Sequence, residues 1–203
     1  MKKYAVLHEP GDIVTLAGTR FVVLDVERRG SLPDSLFLLA LESVGASEFG
    51  SSNNYAESDL KKAVDKWLED MGKRGLDNAK LIPREIDLTT LDGSDCYGKL
   101  SVKAAPLTLD EAREYADIIP NAERWCWLAT GWSGPSKSDG DLALYVLSNG
   151  DWGRNFCSNS YGIRPALKIP SDLLLDSADK PDLSEVPTDT LLEEIRRRVV
   201  DKA

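Results

Sequence analysis

From Asp12 to Glu27 the chain reads "DIVTLAGTRFVVLDVE", two apolar runs separated by "AGT", and this spacing predicts a β-hairpin. After "RRGSLPDS" the run "LFLLALESV" is almost continuously apolar and predicts a third strand, while "EFGSSNNYAES" reads as loop. The period then changes. In "SDLKKAVDKWLEDM", Leu60, Ala63, Val64, Trp67, Leu68 and Met71 recur at the spacing of one helix face, with Ser58 placed as N-cap and Trp67 as a core anchor. Residues 78–107 predict an irregular stretch with short extended pieces. A second helix follows in "TLDEAREYADII": Thr108 and Glu111 match the capping box, and Ala112, Tyr115, Ala116 and Ile119 are expected to face inward.

From Arg124 the pattern returns to β. "RWCWLAT", "LALYVLSNGDWG" and "GIRPALKIP" predict three short strands with glycine-bearing loops between them. Trp125 and Trp127 are expected to alternate across the first of these, with both in the core. Residues 171–187 are polar and punctuated by proline, which predicts a linker. Residues 188–203 predict a last helix with Leu191, Leu192, Ile195 and Val199 on one stripe. Strands toward both ends of the chain with two helices between them predict one α+β domain over residues 1–170, its terminal strands free to pair.

One segment fits no pattern. Between Ser148 and Tyr161, Trp152, Phe156 and Tyr161 stand among Asp151, Arg154, Asn155, Ser158 and Asn159, with neither a period of two nor one of 3.6. Composition narrows what such a segment can serve. The 203 residues carry a net charge of -9, which opposes nucleic acid or an anionic membrane surface as partner. Of the three cysteines, Cys96, Cys126 and Cys157, none forms a CxxC pair, and His8 is the single histidine, so no zinc constellation arises and free thiols are expected. No apolar run of signal-peptide length follows the N-terminus, which predicts a protein that is cytoplasmic when made.

Candidate chemistry is sparse. Asp139 and Asp141 in "SDGD" are two carboxylates in a glycine loop, short of the six to eight oxygens calcium takes. His8 stands alone in the leader and gives no convincing general base or Ser-His-Asp set. Arg164, between Ile163 and Pro165, is expected to be a buried cation paired with a carboxylate. No enzyme, metal or cofactor is expected.

Taken in order, several short motifs together resemble an uncharacterised domain family widespread in gut bacteria and their phages. They are Phe21-Val22-Val23-Leu24-Asp25; Tyr55, Ser58 and Leu60; Thr108, Glu111, Ala112 and Tyr115; Trp125-Cys126-Trp127-Leu128; Ala143, Tyr145, Val146 and Gly150; and Gly162-Ile163-Arg164-Pro165-Ala166-Leu167. The chain departs from that family at Ala129-Thr130, where an Arg-Ser pair is usual. The resemblance covers residues 10–170. It implies a C-type-lectin-like fold, shared with sulfatase-modifying proteins and with the variable proteins of diversity-generating retroelements, whose diversified residues precede a closing strand. On that footing the patternless segment is a displayed surface.

The function expected is therefore ligand or receptor binding, as in a variable protein of a phage or prophage. The protein or glycan ligand would sit on Trp132, Asp151, Trp152, Arg154, Asn155, Phe156, Asn159 and Tyr161, because rigid aromatics among adaptable polar groups make good contact surfaces. This reading expects at least three of Trp132, Trp152, Phe156 and Tyr161 exposed on one face. The alternative is an assembly module of a phage particle or bacterial surface, acting through the C-terminal helix. The third is a degenerate relative of the formylglycine-generating enzymes, with Cys126 and Cys157 close together.

Overall fold

The computed structural model describes residues 2–4, 8–29, 32–135 and 137–177. The expected first hairpin forms: β2 (Ile13–Leu16) pairs antiparallel with β3 (Thr19–Arg29), after β1 (Lys2–Tyr4). Its two-residue turn is Ala17-Gly18, both with positive φ (46° and 75°), the geometry whose twist suits a tight hairpin. β4 (Leu32–Ala40) pairs with β3, and β5 (Ala46–Glu48) follows.

α1 (Asp59–Lys73) has sharp local signals at both ends. The Ser58 hydroxyl accepts from the Lys61 N–H at 2.9 Å and donates to the Tyr55 carbonyl at 2.8 Å. At the other end Gly75 has φ 103°, and the N–H groups of Gly75 and Leu76 return to Gly72 and Met71, each at 3.0 Å, which closes a Schellman turn. Leu60, Val64 and Met71 are buried, whereas Trp67 is half-buried and lies with its ring 6.4 Å from that of Phe21. It lines the edge of the core.

The stretch expected to be irregular holds a hairpin of β6 (Arg84–Asp87) and β7 (Lys99–Val102), then β8 (Ala104–Ala105). α2 (Leu109–Glu114) is only six residues long. Its capping box is present, with Thr108 N–H donating to the Glu111 carboxylate at 2.9 Å and Glu111 N–H to the Thr108 hydroxyl at 3.2 Å. The chain leaves the helix at Tyr115, so Ala116 is exposed, contrary to the inward position expected of it. The rest are β9 (Cys126–Gly131), β10 (Leu142–Val146), β11 (Trp152–Phe156), β12 (Ser160–Gly162), β13 (Ala166–Pro170) and β14 (Leu174–Ser177). "LALYVLSNGDWG" is thus a hairpin of two strands, and part of the expected linker is β14. Residues 178–203, with the expected helix stripe Leu191, Leu192, Ile195 and Val199, lie outside the described residues.

The architecture is mixed α+β and mostly antiparallel. A seven-stranded sheet runs β1-β14-β2-β3-β4-β13-β8, a five-stranded sheet β11-β10-β9-β12-β5, and β6-β7 form the third. The large sheet is covered on both faces, which is why β3 and β4 read as nearly unbroken apolar runs. Phe21, Val23, Leu36 and Leu38 pack with α1 and with Trp127 and Tyr145 of the small sheet. Val22, Leu24, Phe37 and Leu39 pack with Leu107, Leu109, Leu128 and Leu144. No helix among the described residues is long and apolar enough to cross a membrane.

Candidate binding surface on the small sheet

β9 is the wholly buried centre of the five-stranded sheet, and β10 and β11 continue from it to an open edge. A tight turn joins those two strands: Gly150 has φ 90° and donates to the Leu147 carbonyl at 3.1 Å, and Leu147 donates to Asp151 at 2.7 Å. The turn sets the register Val146↔Trp152, Leu144↔Arg154 and Leu142↔Phe156. Directly opposed residues share a face. Trp152, Arg154 and Phe156 therefore project to one side, and Gly153 and Asn155 to the other.

On the first side Trp152 and Phe156 are 45% and 55% exposed. The Arg154 guanidinium lies 3.8 Å from the ring centre of half-buried Trp132, and that of Arg113 lies 5.5 Å from the ring centre of Trp152. Each cation rests on an aromatic face, an arrangement that holds both groups in place. Asp151 is exposed, with the Asn149 side chain donating to its carboxylate at 2.7 Å.

The second side is an aromatic cluster. Tyr161 lies 4.6 Å from Trp127 and 4.9 Å from Tyr145, and Trp125 stacks on Tyr145 at 5.3 Å and 14°. Asn155 donates to the Tyr161 hydroxyl at 2.5 Å, and Asn159 donates to the Asn155 side-chain oxygen at 3.1 Å. The expected eight-residue site is consequently split by the sheet. Trp132, Asp151, Trp152, Arg154 and Phe156 gather on one side, and Asn155, Asn159 and Tyr161 on the other. Of the four aromatics, two are exposed and two are half-buried, so the expected three exposed on one face are not found: Trp132 is covered by Arg154, and Tyr161 packs into the ring cluster.

Trp125 and Trp127 correct the sequence reading. Residues two apart on a strand share a face, so they do not alternate across it. Both lie on the Tyr145 side, but Trp127 is at the sheet centre, 1% exposed, and Trp125 at its end, 41% exposed. Trp125 and Arg113 join the surface although the sequence reading did not place them there. The polar run "NAER" before Trp125 was the available signal that its end of the strand meets solvent.

The remaining candidates fall elsewhere. Cys96 is exposed, and Cys126 and Cys157 are buried free thiols. Burial pushes Cys126 up to about 11 and Cys157 up to about 12, so both are protonated near neutrality, the poorly nucleophilic form. His8 is buried, its Nδ1 3.2 Å from Asp12, and does not sit in a free leader. The Asp139 and Asp141 backbone carbonyls accept from Leu142 and Cys157 at 3.1 and 2.7 Å. No grouping of three or more His, Cys, Asp or Glu suited to a metal ion occurs among the described residues. Arg164 is buried as expected, but it bonds main-chain carbonyls, and no carboxylate pairs with it among the described residues. No protein-family model, curated protein or solved structure matches the chain.

Proposed function

We propose that this protein binds a protein or glycan ligand through the small sheet, on a scaffold of the C-type-lectin-like kind, as a variable protein of a phage or prophage diversity-generating retroelement. One observation carries the reading. The large hydrophobic side chains exposed among the described residues are Trp125, Trp152 and Phe156, and all three belong to the small sheet or its immediate flank. Trp152 and Phe156 share one side of β11 and Trp125 lies on the other, and soluble domains rarely leave large aromatics exposed side by side unless something covers them. Supporting it, β13 follows the aromatic segment and runs between β4 and β8 inside the large sheet, as a closing scaffold strand would. The side bearing Trp152, Arg154 and Phe156 is the primary contact, because its groups are the more exposed.

The test is a panel of immobilised glycans and peptides probed with the full chain. Wild type binds at least one member, and Trp152→Ala and Phe156→Ala each weaken that binding tenfold or more. Equal binding by wild type and both variants overturns the reading. The retroelement origin is checked in the flanking DNA, where a near-identical template repeat differing mainly at adenines lies beside a reverse-transcriptase gene.

A second reading has its own support. β11 is an edge strand carrying two exposed aromatics, and such an edge invites pairing with another chain. In an assembly module, sedimentation velocity detects self-association that rises with concentration and is abolished by Phe156→Lys.

A further inference from the structure

α2 and the segment after it stand off from the face of the small sheet that carries Leu128 and Val146. The space between them is a cavity of about 520 Å³. Leu107, Leu109, Ala112, Leu128 and Val146 are apolar parts of its wall, and Arg113, Asp151 and Trp152 also line it. Small-molecule sites typically span about 300–1,000 Å³, mostly apolar with a few placed polar groups, and this cavity has that character.

One of those polar groups is Arg164, which lines the cavity at 6% exposure. Its Nε donates to the Ala40 carbonyl at 2.7 Å and its Nη1 to the Pro120 carbonyl at 3.0 Å. Its Nη2 has no hydrogen-bond partner among the described residues. Two carbonyls hold the guanidinium in place but leave its charge uncompensated, and an unpaired buried charge is costly. The other arginine buried among the described residues, Arg84, makes the contrast: it also bonds two carbonyls, yet it has the Glu111 carboxylate as counter-ion.

The charged side chains that line the cavity are Arg113 and Arg164 against Asp151. Two cations face one carboxylate in a chain whose net charge is -9. A guanidinium with a free N–H edge matches a planar carboxylate, and the apolar wall matches a hydrocarbon body.

We propose that this cavity is a binding site for a small amphipathic monocarboxylic acid. Its carboxylate accepts from Nη2 of Arg164, and its apolar body lies along Leu109, Leu128 and Val146 beneath Trp152. The site goes beyond the surface reading, since it requires neither Phe156 nor the Tyr161 side of the sheet.

The test uses the full chain and three probes of equal length, octanoate, 1-octanol and octylamine, in isothermal titration calorimetry. Octanoate binds one per chain and raises the melting temperature, 1-octanol binds at least tenfold more weakly, and octylamine does not bind. Octanoate also changes the tryptophan fluorescence, because Trp152 lines the cavity. Ala112→Phe fills the space from a half-buried helix position, retains the circular-dichroism spectrum and loses octanoate. Arg164→Gln removes the preference for octanoate over 1-octanol where the variant folds. Equal affinity for octanoate and 1-octanol, no octanoate binding at millimolar concentration, or undiminished binding by folded Ala112→Phe overturns the proposal.

Discussion

Glu111 performs two tasks with one carboxylate. It accepts the Thr108 N–H at the start of α2, and it is the counter-ion of Arg84, which is 4% exposed and has its Nη2 3.1 Å from the carbonyls of Ala105 and Pro106. Removing the carboxylate leaves a buried cation unpaired and a helix start uncapped. Glu111 is itself partly exposed, which moderates the cost. Glu111→Ala is expected to destabilise the fold by about 3 kcal/mol, at the low end for a broken buried pair. Glu111→Gln keeps one acceptor oxygen where Arg84 and the Thr108 N–H use two, and costs about 2 kcal/mol. Urea unfolding of the two variants separates charge from geometry: equal losses would mean that the charge carries the whole effect, and a Gln variant as stable as wild type would mean that the charge contributes nothing.

β11 is built inside out. Its outward residues are Trp152, Arg154 and Phe156, and its inward ones are Gly153 and Asn155. The reason lies in the neighbouring rings. A Cβ on Gly153 would come within 2.9 Å of the Tyr145 ring, so the strand closes onto β10 only where that side chain is missing. Gly153→Ala must displace Tyr145, which in turn touches Trp125, Trp127 and Tyr161. The expected loss is about 1–3 kcal/mol, the usual range for overpacking. Near-ultraviolet circular dichroism should weaken with it, since four aromatic rings share the cluster. An unchanged aromatic spectrum and an unchanged unfolding midpoint would refute this account of the strand.

The three thiols report on the molecule as a unit. Cys96 is exposed, Cys126 is buried in β9, and Cys157 is buried with its N–H bonded to Asp141. Added to native protein, a thiol reagent should titrate one group per chain quickly and two more only as fast as the whole domain opens. Burial raises both hidden thiols from an ordinary value of 9.0, Cys126 to about 11 and Cys157 to about 12. The folded state therefore keeps protons that the unfolded state gives up. Stability from this source is complete below pH 9 and declines as pH rises toward 12. Unfolding midpoints measured between pH 7 and 11 should fall above 9, and less so when Cys126 and Cys157 are both replaced by alanine. A flat profile would refute the linkage.

The elements readable from residue order are those whose causes are local. The α1 stripe and its Ser58 cap, the Thr108–Glu111 box and the Ala17-Gly18 hairpin each involve groups a few positions apart, and neighbouring residues suffice to form them. β13 was readable too, because "GIRPALKIP" is apolar enough to need cover on both sides. The candidate site was readable only as a list of residues. Its division into two sides depends on β11 pairing with β10 in one register, and the hydropathy of Trp-Gly-Arg-Asn-Phe points the opposite way from its burial. Trp125 and Trp127 are chemically alike, and only their positions, one just before β9 and one inside it, separate an exposed ring from a buried one. Arg164 was recognisable as a buried cation, but its carbonyl partners come from Ala40 and Pro120, at sequence distances of 124 and 44. Contacts at such separations arise from the packing of the sheets on each other, and no local pattern along the chain encodes them.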